Sequence, residues 1–317
     1  MEFGPDTTTE EVLDGVDLSG VTALVTGGSG GLGLETVRAL ASHGAHVVAT
    51  GRDRARAQAA VDDLRLPADA EVDVEELDLA SLASVRAATD RLLDRYDRLN
   101  LLIANAGVMA CPQGRTVDGF ETQFGTNCLG HFVFVNRLVP LLVAGAPSRV
   151  VMLTSGGHRF GDVDLDDVNV EATPYTPFLA YHRSKTANIL FAVELDRRYR
   201  DQGLRAGAVH PGTIDETDLQ RHLDAEAIAR MHAHRRHTKT IASGAATSVW
   251  AGVVADADAF GGGYAEDCHV SPVSDIDPMT PDGRSGVRSY AVDPERAARL
   301  WAICEDLVGE TFPAPGT

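Results

Sequence analysis

Short apolar runs alternate along this chain with stretches in which apolar residues return every three or four positions. Residues 21–26, Val-Thr-Ala-Leu-Val-Thr, form the first β-prone run, and a glycine-rich stretch separates it from Leu34, Val37, Leu40 and Ala41 at helical spacing. The rhythm repeats as strand 45–50, helix 53–66, strand 72–77, helix 82–96 and strand 99–104. It continues with a long helical stretch over 120–143, strand 149–153, helix 178–200 and strand 204–210. Strands separated by helices cannot pair through tight hairpins, so they run parallel with crossover helices. No linker interrupts the alternation, which predicts one doubly wound α/β domain over 18–317 with helices on both faces of the sheet.

The remaining segments fit around that frame. Thr8 to Glu11 reads as a capping box opening a short helix that Gly15 closes, so residues 1–17 are expected to be an N-terminal appendage. Leu219, Leu223, Ala227 and Met231 recur every fourth residue within 216–237 and predict an amphipathic helix, part of a lid over about 213–240. Residues 241–254 read as another helix, 272–286 as a loop rich in Pro, Asp, Ser and Gly, and 293–308 as a closing helix with Pro294 in its first turn.

Composition narrows the class. A hydrophobic fraction of 44% and a charged fraction of 23% are those of a globular protein. A net charge of −18 repels phosphate backbones and anionic lipid, which argues against nucleic-acid partners despite the short basic cluster Arg230, Arg235, Arg236 with its histidines. No apolar run suggests a membrane span, and the N-terminus lacks the features of a signal peptide, so a cytoplasmic location is expected. Cys111, Cys128, Cys268 and Cys304 have no zinc spacing and are expected to be reduced structural thiols, and His232, His234 and His237 are expected to lie on a solvated helix face. No metal site is expected.

The stretch between the first strand and helix is Thr26-Gly27-Gly28-Ser29-Gly30-Gly31-Leu32-Gly33. It fits GxGxxG through Gly28, Gly30 and Gly33, or the looser TGxxxGxG through Gly27, Gly31 and Gly33. Either way the backbone can approach a pyrophosphate, and the following helix presents free N–H groups to it. A second signal is Tyr181-His182-Arg183-Ser184-Lys185 on the helix 178–200, which places a phenol and an ammonium four apart on one face. A nearby positive charge favours the phenolate and suits acid/base work, although an isolated Tyr/Lys pair of this kind is as a rule a solvated surface pair.

Taken together and in order, Thr26-Gly27 to Gly33, Asp78-Leu79, Asn105-Ala106-Gly107, Asn127, Ser155, Tyr181 with Lys185, and Pro211-Gly212 resemble the short-chain dehydrogenase/reductase family over roughly residues 18–310. The wording Thr126 to Phe132, Ser155 to Phe160 and Cys268-His269 is most similar to its retinol-dehydrogenase-like branch. The resemblance implies an oxidoreductase in which Tyr181 exchanges a proton with the substrate oxygen. Lys185 would lower the tyrosine's pKa and hold the nicotinamide ribose, Ser155 would bond the carbonyl oxygen, and Asn127 would hold a water in a proton relay. Gly27, Ser29, Gly31, Leu32 and Gly33 would cradle the cofactor. Asp78 and Leu79 would lie at the adenine, Asn105, Ala106 and Gly107 would line the cleft, and Pro211, Gly212 and Thr213 would cover the nicotinamide.

Three departures stand out: the 26 positions from Ser155 to Tyr181 are long, Ala104 stands where many members have Asn, and Thr217 comes one place late. The second strand ends in Gly51-Arg52-Asp53. An arginine there pairs with the 2′-phosphate of NADP, so NADP is expected, with NAD as the alternative; Asp53 is either a helix cap or a ribose acceptor. The substrate is expected to be a bulky apolar alcohol or ketone of retinoid, steroid, polyketide or aromatic type. Phe160, Val163, Leu165, Tyr175, Phe178, Leu219, Leu223 and Met231 would form its wall, unless Arg159 and Arg183 make the site anionic-substrate binding. The family also implies a homodimer or homotetramer. A non-catalytic dinucleotide-binding protein and a nucleotide-sugar epimerase or dehydratase are the competing classes.

Overall fold

The computed structural model describes residues 3–226, 228 and 237–312. Eight strands form one sheet in the order β3-β2-β1-β4-β5-β6-β7-β8. Strands β1 (Thr22–Val25), β2 (His46–Gly51), β3 (Val72–Glu76), β4 (Leu101–Ala104), β5 (Ser148–Leu153), β6 (Leu204–His210) and β7 (Tyr264–Glu266) pair in parallel. The last strand, β8 (His269–Val270), returns antiparallel at the edge. The doubly wound α/β sheet expected from the alternation is therefore present, with β7 and β8 as additions that are too short to show a period.

Both faces of the sheet are buried, and the strands show it residue by residue. Leu24, Leu102, Val150, Met152 and Ala208 point into one core, whereas Ala23, Val25, Leu101, Ile103, Val151 and Val209 point into the other. This two-sided burial explains why the strands read as continuous apolar runs rather than as alternating ones. The first core is covered by α4 (Leu82–Arg95), α5 (Thr122–Ala144), α6 (Pro177–Tyr199) and α9 (Pro294–Val308). On the other face lie α1 (Thr9–Val12), α2 (Gly31–Ser42), α3 (Arg54–Asp62), α7 (Ile241–Val254) and α8 (Ala257–Phe260). The residues before β1 are part of this packing: the capping box at Thr8 is formed, and Val12 and Leu13 are buried.

Two expectations need correcting. Helix α5 is long and apolar enough by composition to cross a membrane, contrary to the reading that no run is, but 78% of its apolar window is buried in the fold. It is also not uniform, since Gly125–Leu129 is a π-helical segment within it. The helix expected over 216–237 is not continuous. Asp218–Gln220 is a single 3₁₀ turn and helical backbone resumes only at residue 225; Ala227, Met231, His232 and His234 lie outside the described residues.

The loop 272–286 is ordered by contact. Val273 pairs with Val287, and Arg288 donates to the Ser274 carbonyl. All four cysteines are buried and unpaired.

Candidate active site

The glycine loop follows β1 and opens α2. Gly27 and Gly31 have positive φ, +68° and +52°. A Cβ on Gly33 would lie 2.1 Å from the Gly27 carbonyl oxygen, so the loop can fold back on the helix only with glycine there. At Gly30 the corresponding space is open, with nothing within 4 Å. Gly30 is also the cap of α2 and satisfies none of its first N–H groups with a side chain, which leaves them free for an anion. Ser29 sits beside Gly51 at the end of β2, where a Cβ on Gly51 would come within 3.3 Å of its hydroxyl oxygen. Thr217 reaches this loop as well: its methyl carbon is 3.4 Å from where a Gly31 Cβ would be, so its late position does not carry it away.

The next residue, Arg52, is exposed, and no carboxylate among the described residues pairs with it. Asp53 is occupied as the cap of α3, its Oδ1 accepting from the Arg56 N–H at 3.0 Å. Between its two open readings, the structure places it as a cap. Asp78 is half-buried and accepts from the Ala80 N–H, while Leu79 is a core residue whose carbonyl lies so close to Gly130 that a Cβ there would be 2.3 Å away. Asn105 donates to the Thr26 carbonyl at 2.8 Å and holds the glycine loop from below. Ala104, for its part, is a fully buried strand residue.

Helix α6 starts behind the Thr176 cap with Pro177 in its first turn and carries Tyr181 and Lys185 into the interior, where both are 5% exposed. The lysine Nζ lies 5.7 Å from the tyrosine ring centre and donates to the Leu153 carbonyl at the end of β5. Asn127 faces it from the π-helical segment. A Cβ on Gly107 would be 3.2 Å from the Asn127 Oδ1 and 3.5 Å from the Lys185 Nζ, so these three residues share one spot. The Asn127 amide grips Val108 on both sides, accepting from its N–H and donating to its carbonyl, and also donates to the Ser184 hydroxyl. Ser155 caps the turn Gly156–Phe160, and a Cβ on Gly157 would be 3.3 Å from its hydroxyl and 3.4 Å from the Tyr181 ring.

Burial pushes the Tyr181 phenol up to about 12, with the Ser155 hydroxyl pulling it partly back. Burial likewise brings the Lys185 ammonium down to about 8. Burial, the larger cause, acts on the phenol in the direction opposite to the lowering expected from Lys185. Pro211, Gly212 and Thr213 follow β6. Gly212 has φ +87° with the Lys239 chain packed where its Cβ would be, and the Thr213 carbonyl accepts from the Lys239 N–H. Lys239 is buried and forms an ion pair with Asp267 at 2.6 Å.

Three of the eight residues expected in a substrate wall fall into one apolar cluster with Tyr181. Phe178, Leu219 and Leu223 pack against Tyr181 together with Met109 and Ala110, two residues the sequence reading missed although they directly follow Gly107 and Val108. Val163 and Leu165 belong to the main core instead, and Phe160 is exposed. Tyr175 donates to the Cys111 carbonyl. Neither candidate arginine is free to bind an anion: Arg159 is buried in an ion pair with Glu266 at 2.5 Å, and Arg183 is held by the Asp167 carbonyl, Thr173, Asp164 and Asp167.

A family model described as short chain dehydrogenase matches residues 21–227. Retinol dehydrogenase 14 of Mus musculus is 39% identical over 306 residues, covering 92% of this chain and 87% of its own length. Among solved structures, an uncharacterized protein from Mycobacterium paratuberculosis aligns with a TM-score of 0.71 and 35% identity over 94% of this chain and 96% of that one. A short chain dehydrogenase from Burkholderia cenocepacia J2315 in complex with NADP aligns with a TM-score of 0.59 and 25% identity, over 84% and 94%. The chain belongs to the short-chain dehydrogenase/reductase family, is retinol-dehydrogenase-like within it, and is an oxidoreductase of the CH–OH/C=O couple that uses a nicotinamide dinucleotide.

Proposed function

We propose that the protein is an NADP(H)-dependent oxidoreductase of bulky apolar carbonyl compounds and alcohols. The observation that carries the substrate class is the apolar cluster of Met109, Ala110, Phe178, Leu219 and Leu223 against Tyr181, combined with the engagement of Arg159 and Arg183 by carboxylates. A wall of that kind desolvates an apolar substrate and offers no clamp for a phosphate.

The residues fit a dinucleotide. The open space at Gly30 and the free N–H groups of α2 suit the pyrophosphate, and Gly27, Ser29, Gly31, Leu32 and Gly33 line its approach. Arg52, which no carboxylate among the described residues pairs with, suits a 2′-phosphate, whereas Asp53, engaged as a cap, is a poor acceptor for a ribose hydroxyl, which favours NADP over NAD. Asp78, Leu79, Asn105, Ala106, Gly107, Pro211, Gly212 and Thr213 would bound the rest of the cleft.

When bound, the nicotinamide supplies or accepts the hydride. Tyr181, protonated at neutral pH, would give its proton to the substrate oxygen during reduction and take it back during oxidation. Ser155 would hold that oxygen, and Lys185 would hold the nicotinamide ribose and steady the charge on the phenol. Asn127 would support Lys185 from behind.

The test is a panel of alcohols and ketones run with NADPH/NADP and with NADH/NAD, followed by nicotinamide absorbance, for the wild type and for Arg52→Ala. Large apolar ketones should have the highest kcat/KM, and Arg52→Ala should lose about tenfold or more with NADP(H) only. Better turnover of small polar or phosphorylated carbonyls, or equal losses with both cofactors, would refute the respective half of the reading.

A further inference from the structure

One buried imidazole at the site has no part in this chemistry. His131 is wholly buried one turn after Asn127, where the π-helical segment of α5 hands over to regular helix. Its Nδ1 lies 3.0 Å from the Asn127 carbonyl oxygen, and its Nε2 lies 2.9 Å from the Thr26 hydroxyl. Thr26 opens the glycine loop, and its Oγ1 also accepts from the Ala106 N–H at 3.0 Å.

The directions of these bonds follow from chemistry. A carbonyl oxygen only accepts, so His131 carries a proton on Nδ1. Burial holds the ring neutral by pulling its pKa down to about 4, which leaves Nε2 bare and makes the Thr26 hydroxyl the donor. The chain therefore runs one way, from the Ala106 N–H to Thr26 Oγ1, from the Thr26 O–H to His131 Nε2, and from His131 Nδ1–H to the Asn127 carbonyl. Both ends are backbone groups of fixed polarity, so the chain cannot be reversed. One end lines the expected cofactor cleft. The other is the residue whose side chain grips Val108 and Ser184, next to Lys185.

We propose that His131, as its Nδ1–H tautomer, is a positioning residue that registers the glycine loop and the Ala106–Val108 backbone against Asn127, and through them Lys185 and Tyr181. This rests on the oxidoreductase reading above. For a ring that merely filled space, glutamine would be no better a replacement than phenylalanine; for a ring that acts through its two nitrogens, glutamine would be the better one.

Two measurements test this. In the wild-type protein labelled with ¹⁵N-histidine, the His131 resonances, assigned by comparison with His131→Gln, should show a protonated Nδ1 and a bare Nε2 at neutral pH. A protonated Nε2 overturns the proposal, whatever substrate the enzyme takes.

In kinetics with the best carbonyl found by the panel, His131→Phe should lower kcat by about tenfold or more with substrate KM changed less than about twofold, since only hydrogen bonds are lost. His131→Gln, whose amide has one donor and one acceptor, should recover at least about threefold of that loss. Wild-type kcat in His131→Phe, or His131→Gln no better than His131→Phe, overturns the proposal. If His131→Phe does not fold, the tautomer and a His131→Gln with at least about a tenth of wild-type kcat decide instead. A wild-type enzyme inactive on every carbonyl counts against the oxidoreductase reading and leaves the tautomer measurement standing.

Discussion

The floor of the cleft and its rim are built on opposite principles. In the floor, at the ends of β1, β4 and β5 and along α5 and α6, polar side chains are buried and bonded to backbone: Asn105 to Thr26, Asn127 to Val108, Lys185 and Asn188 to Leu153, Thr154 to the Lys185 carbonyl. In the rim, apolar side chains are left partly in solvent. Leu219 and Leu223 are half-buried in the cluster at Tyr181. A bonded floor holds reacting groups in one geometry, as proton transfer requires, while a rim of loops can change its shape without disturbing them.

The comparison breaks first if the floor proves tolerant. Tyr181→Phe removes a single hydroxyl, so cofactor binding measured by titration should persist while kcat falls about 10²- to 10⁴-fold. Retention of more than about a tenth of turnover would mean that the floor does not hold the acid.

A smaller effect should appear in stability. His131 and His158 are both fully buried and held neutral, with pKa values near 4 and 3, whereas the unfolded rings protonate at about 6.5. The unfolded chain therefore binds more protons below that pH, and the stability these rings contribute is present above pH 6.5 and lost on acidification towards 4. Between pH 7 and 5 the loss should be on the order of 1–2 kcal/mol per ring, read by urea unfolding, and smaller by one ring in His131→Phe. Equal pH dependence in the two proteins would show that His131 is not held neutral.

The smallest effect belongs to the rim. Leu223→Ala should lower kcat/KM for a large apolar ketone by about five- to tenfold, roughly 1 kcal/mol of lost apolar contact, and leave the thermal midpoint nearly unchanged. A drop in stability without a change in kcat/KM would make Leu223 core rather than rim.

The floor was also the more legible of the two in the sequence. Its glycines and the Tyr181–Lys185 pair obey fixed spacings because backbone geometry and helix periodicity dictate them, whereas Asn127 was legible only through the family resemblance. Rim residues obey no such rule. Leu219 and Leu223 recur every fourth residue like a helix face, yet Leu219 lies within a 3₁₀ turn and Leu223 beyond it, and both pack on the cluster that contains Tyr181, so their spacing does not mark one continuous helix. Met109 and Ala110 carry no signal beyond apolarity. Arg159 looked available in sequence because its partner, Glu266, lies in a strand of three residues that shows no pattern.

That ion pair also bears on how the chain matures. Arg159 reaches 107 residues ahead to Glu266 and 127 ahead to the Gly286 carbonyl. A polypeptide leaving the ribosome N-terminus first presents β1, the glycine loop and α2 long before either partner exists, while the turn after Ser155 waits with an uncompensated guanidinium. The Ser155 turn therefore takes its final anchoring only when the last strands have emerged. A chain cut short before Glu266 would lack the partner that anchors the Ser155 turn from the far end of the sequence.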